Sequence, residues 1–157
     1  MFIPKGTKIM KSLDDKDYTI LNVLKTQAKL STQQISRKTR IPITTVHNRI
    51  KKLESGGIIR GYSALLDSKL LGDVTAFVFV SVMYHLPEGK VIDQEELARK
   101  VKKNEAVEDV NIVSGSRDLI VKVRVKSVDE LNNFVIRYLR SIPGIERTET
   151  AVVLKSI

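Results

Sequence analysis

The sequence predicts an α+β protein in two parts, an N-terminal part dominated by short helices and a C-terminal part that mixes strands with helices. Apolar residues recur with a helical period before residue 60, and they form strand-like runs of Val, Ile and Phe after residue 73. Charge divides in the same place. Residues 1–61 hold 13 Lys and Arg against 4 Asp and Glu, whereas residues 62–157 hold 14 of each sign. The net charge of +9 therefore belongs to the first part, which indicates a polyanion-binding module beside a neutral one.

Several classes of protein are disfavoured by what the sequence lacks. There are 0 cysteines, so disulfides and thiolate metal sites do not arise. No apolar run reaches the ~18 residues of a membrane-spanning helix, and no signal peptide is recognisable, so we expect a cytoplasmic protein. The 2 histidines lie in different parts, and no P-loop or G-x-G-x-x-G stretch occurs. We therefore expect neither an enzyme, nor a metal site, nor a cofactor.

The N-terminal part begins with an irregular segment and two short helices. Residues 1–12 contain lysines, a proline and a glycine without any period, so we expect a flexible basic arm. A first helix is predicted over residues 13–26, with Asp14 as its N-cap. A second is predicted over residues 31–39, where Ser31 and Gln34 form a capping box.

The third helix is predicted from Ile43 to Ser55, directly after Pro42, which disfavours helical geometry in the residue before it. At 100° per residue, Ile43, Val46, Ile50 and Leu53 form one apolar stripe. The opposite face carries Thr44, Thr45, Asn48, Lys51, Lys52 and Ser55. Three short helices, with a tight turn before a basic third one, are typical of a helix-turn-helix, and the third helix is then the recognition helix.

The stretch after the third helix predicts a wing. Gly56 and Gly57 are suited to a left-handed helix end, and residues 58–62 have the composition of a strand. The resulting winged helix-turn-helix would span residues 13–62, followed by a linker over residues 63–73.

Residues 74–157 predict a second domain with the element order βαββαβ, which is the ferredoxin-like arrangement. Such an open sheet leaves one face without helices, and its many apolar side chains need a cover. We expect two copies of the chain to pack sheet against sheet, which makes a homodimer.

Four stretches of the sequence occur in an order that resembles the leucine-responsive regulatory protein family, also called Lrp/AsnC or feast/famine regulators. They are LDDKDYTILNVL, TTVHNRIKKLESGGIIRGY, VSGSRDLIVKV and SIPGIERTETAVVL, and the resemblance covers residues 13–157. It implies a transcription regulator whose N-terminal domain grips double-stranded DNA. The C-terminal domain is then expected to dimerise, to build higher multiples of dimers and often to bind an amino acid. Pro42 is a departure, because members of the family often carry Ser or Thr there.

Candidate DNA contacts follow from how such a helix enters the major groove, N-terminal end first. For base readout we select the hydrogen-bonding side chains of its first half: Thr44, Thr45, His47 and Asn48. For phosphate contacts we select Lys51, Lys52, Arg37, Lys38, Arg40 and Arg60. Arg60 is equally compatible with a solvated surface residue, whereas Arg49 lies toward the flank of the apolar stripe, where a structural role is expected.

The candidate effector site is the turn at residues 115–118, with Gly115, Ser116 and Asp118 as its residues. The resemblance places effectors between dimers near a Gly-x-x-Asp motif, which Gly115 and Asp118 match. Backbone N–H groups of a turn can bind a carboxylate, and an Asp can receive an ammonium group. The same pattern is also ordinary hairpin chemistry.

Two other functions remain compatible with the sequence. One is an architectural protein that wraps DNA with little sequence preference and no effector. The other is an amino-acid sensor whose oligomeric state changes with its ligand, with DNA binding secondary.

Overall fold

The computed structural model describes residues 13–87, 89 and 91–155, except for the side chain of Lys69, and it divides into two compact units between Leu65 and Leu66. The basic arm predicted over residues 1–12 lies outside the described residues. The predicted linker, residues 63–73, spans the point of division. Each unit is described separately below.

The N-terminal unit contains the three predicted helices: α1 (Asp15–Thr26), α2 (Thr32–Thr39) and α3 (Ile43–Ser55). Capping boxes form at the first two helices. Asp14 accepts from the backbone of residue 17, and Ser31 accepts from the backbone of residue 34, with the reciprocal bond present in both cases. These local bonds satisfy N–H groups that a helix start otherwise leaves open, and they confirm the predicted starts of α1 and α2.

The third helix ends in a glycine turn rather than in a strand. Gly57 has φ +74°, and the N–H of Ile58 donates to the carbonyl of Leu53 at 2.9 Å. This is the geometry of a Schellman motif, and it confirms the predicted left-handed helix end. The strand predicted over residues 58–62 does not form, and that expectation is wrong. A strand needs a neighbour for its hydrogen bonds, and residues 13–65 contain no strand.

The core of the N-terminal unit combines one stripe from each helix. Its buried members are Ile20, Leu24, Ile35, Ile41 and Val46, and Leu53 is buried as well. One member of the predicted stripe, Ile43, is 45% exposed, so its predicted burial is wrong. Ile43 is the first residue of α3 and lies at the edge of the unit. Ile41, two positions earlier, is buried in the core instead.

The C-terminal unit contains one antiparallel sheet with the strand order β2-β3-β1-β4. The strands are β1 (Val74–Val82), β2 (Val107–Ile112), β3 (Leu119–Val125) and β4 (Ile145–Val152). This order and the direction of pairing are those of the predicted βαββαβ arrangement.

The helices of this unit are α4 (Ser68–Leu71), α5 (Gln94–Lys102) and α6 (Val128–Asn133). The short helix α4 lies in the stretch predicted as a linker. Helix α6 continues as one π-helical turn over Phe134–Tyr138 and a 3₁₀ turn over Leu139–Ser141, so the helical period changes after Asn133.

The sheet has one closed and one open face. Alternate residues of β1, among them Val78 and Val80, are fully buried in a core shared with Leu97 of α5 and Leu131 of α6. The residues between them point the other way. On that open face Phe77 is 36% exposed.

Candidate functional sites

The outward face of α3 is available to a partner along its whole length. Thr44, His47, Asn48, Lys51 and Lys52 are exposed, and Thr45 is half-buried. All four residues predicted to read bases thus lie on one helix whose opposite side is anchored by the core. The face combines short hydrogen-bonding groups with two ammonium groups, which is suited to base edges and phosphates.

The start of α3 carries no side-chain cap. Pro42 occupies the N-cap with φ −53° and ψ 140°, and no side chain bonds to the first turn. The N–H groups there remain at the positive end of a 13-residue helix, which favours an anion. Proline has no side-chain acceptor, and no other described side chain caps this helix start.

The turn between α2 and α3 holds a strained residue in place. Arg40 has φ +57°, the sole positive value found at a non-glycine position among the described residues. The Ser36 hydroxyl donates to the carbonyl of Ile41 at 2.6 Å, which fixes the chain just after that turn. Of the predicted phosphate contacts here, Arg37, Lys38 and Arg40 are all exposed, although the ammonium of Lys38 donates to Gln27 Oε1 at 2.6 Å.

Arg49 anchors the recognition helix to the start of α1. Its guanidinium lies 2.6 Å from Asp14 Oδ2 and 2.9 Å from Asp17 Oδ1, and the Asp17 side chain is only 3% exposed. The Asp17 backbone N–H and the Arg49 guanidinium together hold the pKa of the Asp14 carboxyl below its usual value. The two carboxylates in turn raise the pKa of Arg49. Arg49 therefore has the expected structural role.

Arg60, the last predicted phosphate contact, is exposed at a cavity of 620 Å³ between α1 and the segment after α3. The cavity wall includes Leu21, Leu24 and Ile59 together with the basic residue Lys25. Sequence reasoning did not anticipate this cavity, because it arises where an unpaired segment lies against a helix.

The turn at residues 115–118 joins β2 to β3. Gly115 has φ +130°, which favours glycine, and it is exposed together with Ser116. Among the described residues, no acceptor is found for the N–H groups of Gly115, Ser116 and Arg117. The turn therefore presents free backbone donors to solvent.

Asp118, by contrast, is already bonded through its side chain. Its Oδ2 accepts from the Val82 N–H at 2.8 Å, and its Oδ1 accepts from the Tyr84 hydroxyl at 2.5 Å. The Gln94 amide donates to the Tyr84 oxygen at 3.2 Å and to the Asp118 carbonyl at 3.4 Å. The hydrogen bond to Asp118 raises the pKa of Tyr84. Arg117 pairs with Glu149 at 2.5 Å rather than with its neighbour Asp118.

Tyr84 and Gln94 were missed by sequence reasoning. They are 34 and 24 residues from Asp118, and neither belongs to a recognisable motif. Tyr84 and Gln94 come close to Asp118 only because β1 and α5 fold beside the turn.

Neither a group of metal-ligating side chains nor a membrane-spanning helix occurs among the described residues. Among them, no group of three or more His, Cys, Asp and Glu side chains is placed to hold a metal ion. Within the same part of the chain, no helix has the length and apolarity to cross a membrane.

Both units match known families over the residues that carry these features. The family model for winged helix-turn-helix DNA-binding matches residues 13–60, and that for the Lrp/AsnC ligand binding domain matches residues 75–157. A DNA-binding unit joined to a ligand-binding unit defines a ligand-linked transcriptional regulator.

The relatives identify the family. The HTH-type transcriptional regulator FL11 of Pyrococcus abyssi is 36% identical over 146 residues, which cover 92% of this chain and 91% of that protein. The leucine-responsive regulatory protein of Haemophilus influenzae is 34% identical over 147 residues, which cover 94% of this chain and 87% of that protein. The chain belongs to the Lrp/AsnC family of transcriptional regulators, as its motifs suggested.

Solved structures agree. A transcriptional regulator of Neisseria meningitidis, determined as a complex with L-Met, is 28% identical and has a TM-score of 0.75, covering 93% of this chain and 92% of that one. AsnC of E. coli is 25% identical with a TM-score of 0.70, covering 93% and 95%. The predicted fold class, an N-terminal winged helix-turn-helix and a C-terminal sheet with helices, is confirmed.

Proposed function

We propose that this regulator reads a specific DNA sequence with α3, works as a homodimer or a multiple of dimers, and responds to an amino acid at the turn over residues 115–118. The observation that carries the proposal is the outward face of α3. It exposes amide, hydroxyl and ammonium groups on a helix whose other side is anchored in the core and tied to α1 by Arg49.

Base readout is assigned to the first half of that helix. The Asn48 amide can form two hydrogen bonds with an adenine edge, and the methyl groups of Thr44 and Thr45 can contact thymine methyls. His47 is exposed on the same side. In a dimer, two such helices would enter major grooves about one helical turn, or a small multiple of it, apart.

Phosphate contacts supply most of the affinity. The exposed cations around α3 are suited to this role, namely Lys51, Lys52, Arg37, Lys38, Arg40 and Arg60. About 8 neutralised phosphates per dimer would give a slope of log affinity against log salt of roughly −7. A slope shallower than about −2 would contradict this part of the proposal.

Dimerisation is assigned to the open face of the sheet. Phe77 and Phe79 of β1 lie there, and the register places Ile120 of β3 opposite Phe79. Ion pairs border this apolar strip: Glu108 pairs with Lys122 and with Arg124 on one side, and Arg117 pairs with Glu149 on the other. An apolar strip with a charged border suits a contact between two identical surfaces, because a twofold axis pairs each patch with its own copy.

The amino-acid effector is assigned to Gly115, Ser116 and Asp118. The N–H groups of the turn can donate to a carboxylate, and the carboxylate of Asp118, which follows them in the chain, can receive an ammonium group. The family model for this unit is that of a ligand-binding domain, and a similar structure was determined with L-Met bound. A DNA-binding regulator with such an effector would work in the cytoplasm.

The decisive experiment is a fluorescence-anisotropy titration of the full chain onto a duplex from its own upstream region and onto a scrambled duplex, at two salt concentrations. An affinity ratio of ~10³ or more is expected for a sequence-reading regulator. A ratio near one, found also for duplexes selected from a random pool, would contradict sequence-specific readout and favour DNA wrapping.

Two variants test how the helix face is divided. Asn48→Ala should lower the affinity ratio by ~10-fold or more while it largely keeps the affinity for scrambled DNA, because it removes a base contact. Lys51→Ala should weaken both duplexes alike and reduce the salt slope by ~1, because it removes a phosphate contact. Identical behaviour of the two variants would show that the assignment of the faces is wrong.

A further inference from the structure

The two oxygens of the Asp118 carboxylate have partners of different kinds. Oδ2 accepts from a backbone N–H, that of Val82 at the end of β1. The pairing of β1 with β4 shifts its register between Ser81 and Val82, so the carboxylate supports an irregular strand end. That bond cannot be given up without disturbing the sheet. Oδ1 instead accepts from a side chain, the Tyr84 hydroxyl, at 2.5 Å.

The Tyr84 hydroxyl can leave the Asp118 oxygen without disturbing a helix or strand. It is 43% exposed, and it lies in the segment between β1 and α5, outside any helix or strand. Two described residues of this segment, His85 and Val91, form an antiparallel bridge. Rotation of the Tyr84 side chain would release the Asp118 oxygen without breaking a strand, and the Gln94 amide would keep its bond to the Asp118 carbonyl.

The position that Tyr84 takes is the one that an amino acid needs. An amino acid held at this turn needs an acceptor for its ammonium group as well as donors for its carboxylate, and the carboxylate that directly follows the N–H groups of residues 115–117 in the chain is that of Asp118. Both bonds to this oxygen are charge-assisted, because the acceptor is an ionised carboxylate, but only the ammonium group brings a full positive charge to it. The ligand can therefore displace a phenol, but it has to compete with it.

We propose that Tyr84 is an internal competitor for the amino-acid effector: its hydroxyl holds the Asp118 oxygen that the ligand's ammonium group takes, and binding releases Tyr84. The inference rests on the effector site proposed above. It lowers the affinity of the site for its ligand, because part of the binding free energy is used to replace the hydrogen bond between Tyr84 and Asp118. It also links occupancy to the segment between β1 and α5, which loses its hold on the β2–β3 turn when the ligand binds.

The test is isothermal titration calorimetry of the full-length wild type and three variants with each of the twenty proteinogenic L-amino acids. Tyr84→Phe removes the competing hydroxyl and keeps the ring. We expect it to bind the recognised amino acid about five- to tenfold more tightly than the wild type, the equivalent of one hydrogen bond to a charged group at a partly exposed site.

Two further variants separate the explanations. Tyr138→Phe is the matched control, because its hydroxyl donates to the Lys100 carbonyl at 2.7 Å, away from the turn, and its affinity should equal that of the wild type. Asp118→Asn should abolish or strongly weaken binding in a protein whose circular dichroism remains native.

The outcomes are distinct. Tighter binding by Tyr84→Phe alone, lost in Asp118→Asn, supports the inference. Unchanged or weaker binding by Tyr84→Phe, with loss in Asp118→Asn, overturns the competitor role and leaves the effector site standing. Binding that survives Asp118→Asn, or no binding of any of the twenty amino acids by any variant, overturns the effector site and the competitor together.

Discussion

The tether between Arg49 and the start of α1 predicts a large, pH-dependent loss of stability in Arg49→Met. The Asp17 side chain is 3% exposed and Arg49 is 24% exposed. Removing the partner of a buried charge costs about 3–5 kcal/mol. Since Arg49 keeps partial contact with solvent and water can approach from its side, we expect a loss of about 2–3 kcal/mol in the free energy of unfolding of the N-terminal unit.

The effect should fade in acid. The pKa of Asp14 is held below its usual 3.8 in the folded protein, so folding favours its ionised form. Such a group stabilises the protein above pH 3.8, and the contribution is lost as the pH falls through the lowered value. The difference between wild type and Arg49→Met should therefore be greatest near neutral pH and shrink below about pH 4.

The assay is urea unfolding followed by circular dichroism at several pH values, with a double-mutant cycle. Lys51→Met, on the exposed side of the same helix, is the matched control and should cost less than about 0.5 kcal/mol. Asp17→Asn combined with Arg49→Met should be less destabilising than the sum of the two single variants, by about 1 kcal/mol or more. Additive effects would refute the tether.

A DNA titration of Arg49→Met distinguishes a structural role of Arg49 from a phosphate contact. If Arg49→Met keeps its fold at the temperature of the titration yet lowers the salt slope as Lys51→Ala does, Arg49 contacts a phosphate and our structural assignment is wrong. If it keeps the slope, Arg49 acts through the position of α3.

Two further predictions concern the C-terminal unit. Phe77→Glu places a charge on the open face of the sheet, so sedimentation velocity should show a shift from dimer to monomer. Val128→Glu, an equivalent change at a 64% exposed residue on α6, should leave the dimer intact, and dissociation in both variants would argue against the sheet face. Gly144→Ala should lower the stability by about 2–3 kcal/mol, because φ is +97° and a Cβ would lie 2.9 Å from the side chain of Ile92. Adding Ile92→Ala should recover the steric part of the loss in thermal unfolding, and an unchanged melting temperature in Gly144→Ala would refute the argument.

Much of the fold could be predicted because its signals are local. The caps at Asp14 and Ser31 depend on hydrogen bonds across three residues, and both formed as expected. The glycine turn after α3 depends on one left-handed residue, Gly57. In β3, buried residues alternate with partly exposed ones, as the period of a strand requires.

The errors have a different origin. The strand predicted over residues 58–62 has the right composition, but composition cannot supply the neighbouring strand that its backbone requires. Ile43 obeys the helical period, yet it lies at the edge of the unit, where no element covers it. The period of a helix says which way a side chain points, and not whether anything lies in that direction.

The sequence by itself determined the caps, the order of helices and strands, the exposed face of α3 and the segregation of positive charge, because each depends on neighbours within a few positions along the chain. Tertiary structure decided which charges are available. It joined Arg49 to a carboxylate 32 residues away and closed Asp118 against a tyrosine 34 residues away. Such pairs arise only when packing brings distant segments together and low exposure makes an unpaired charge costly.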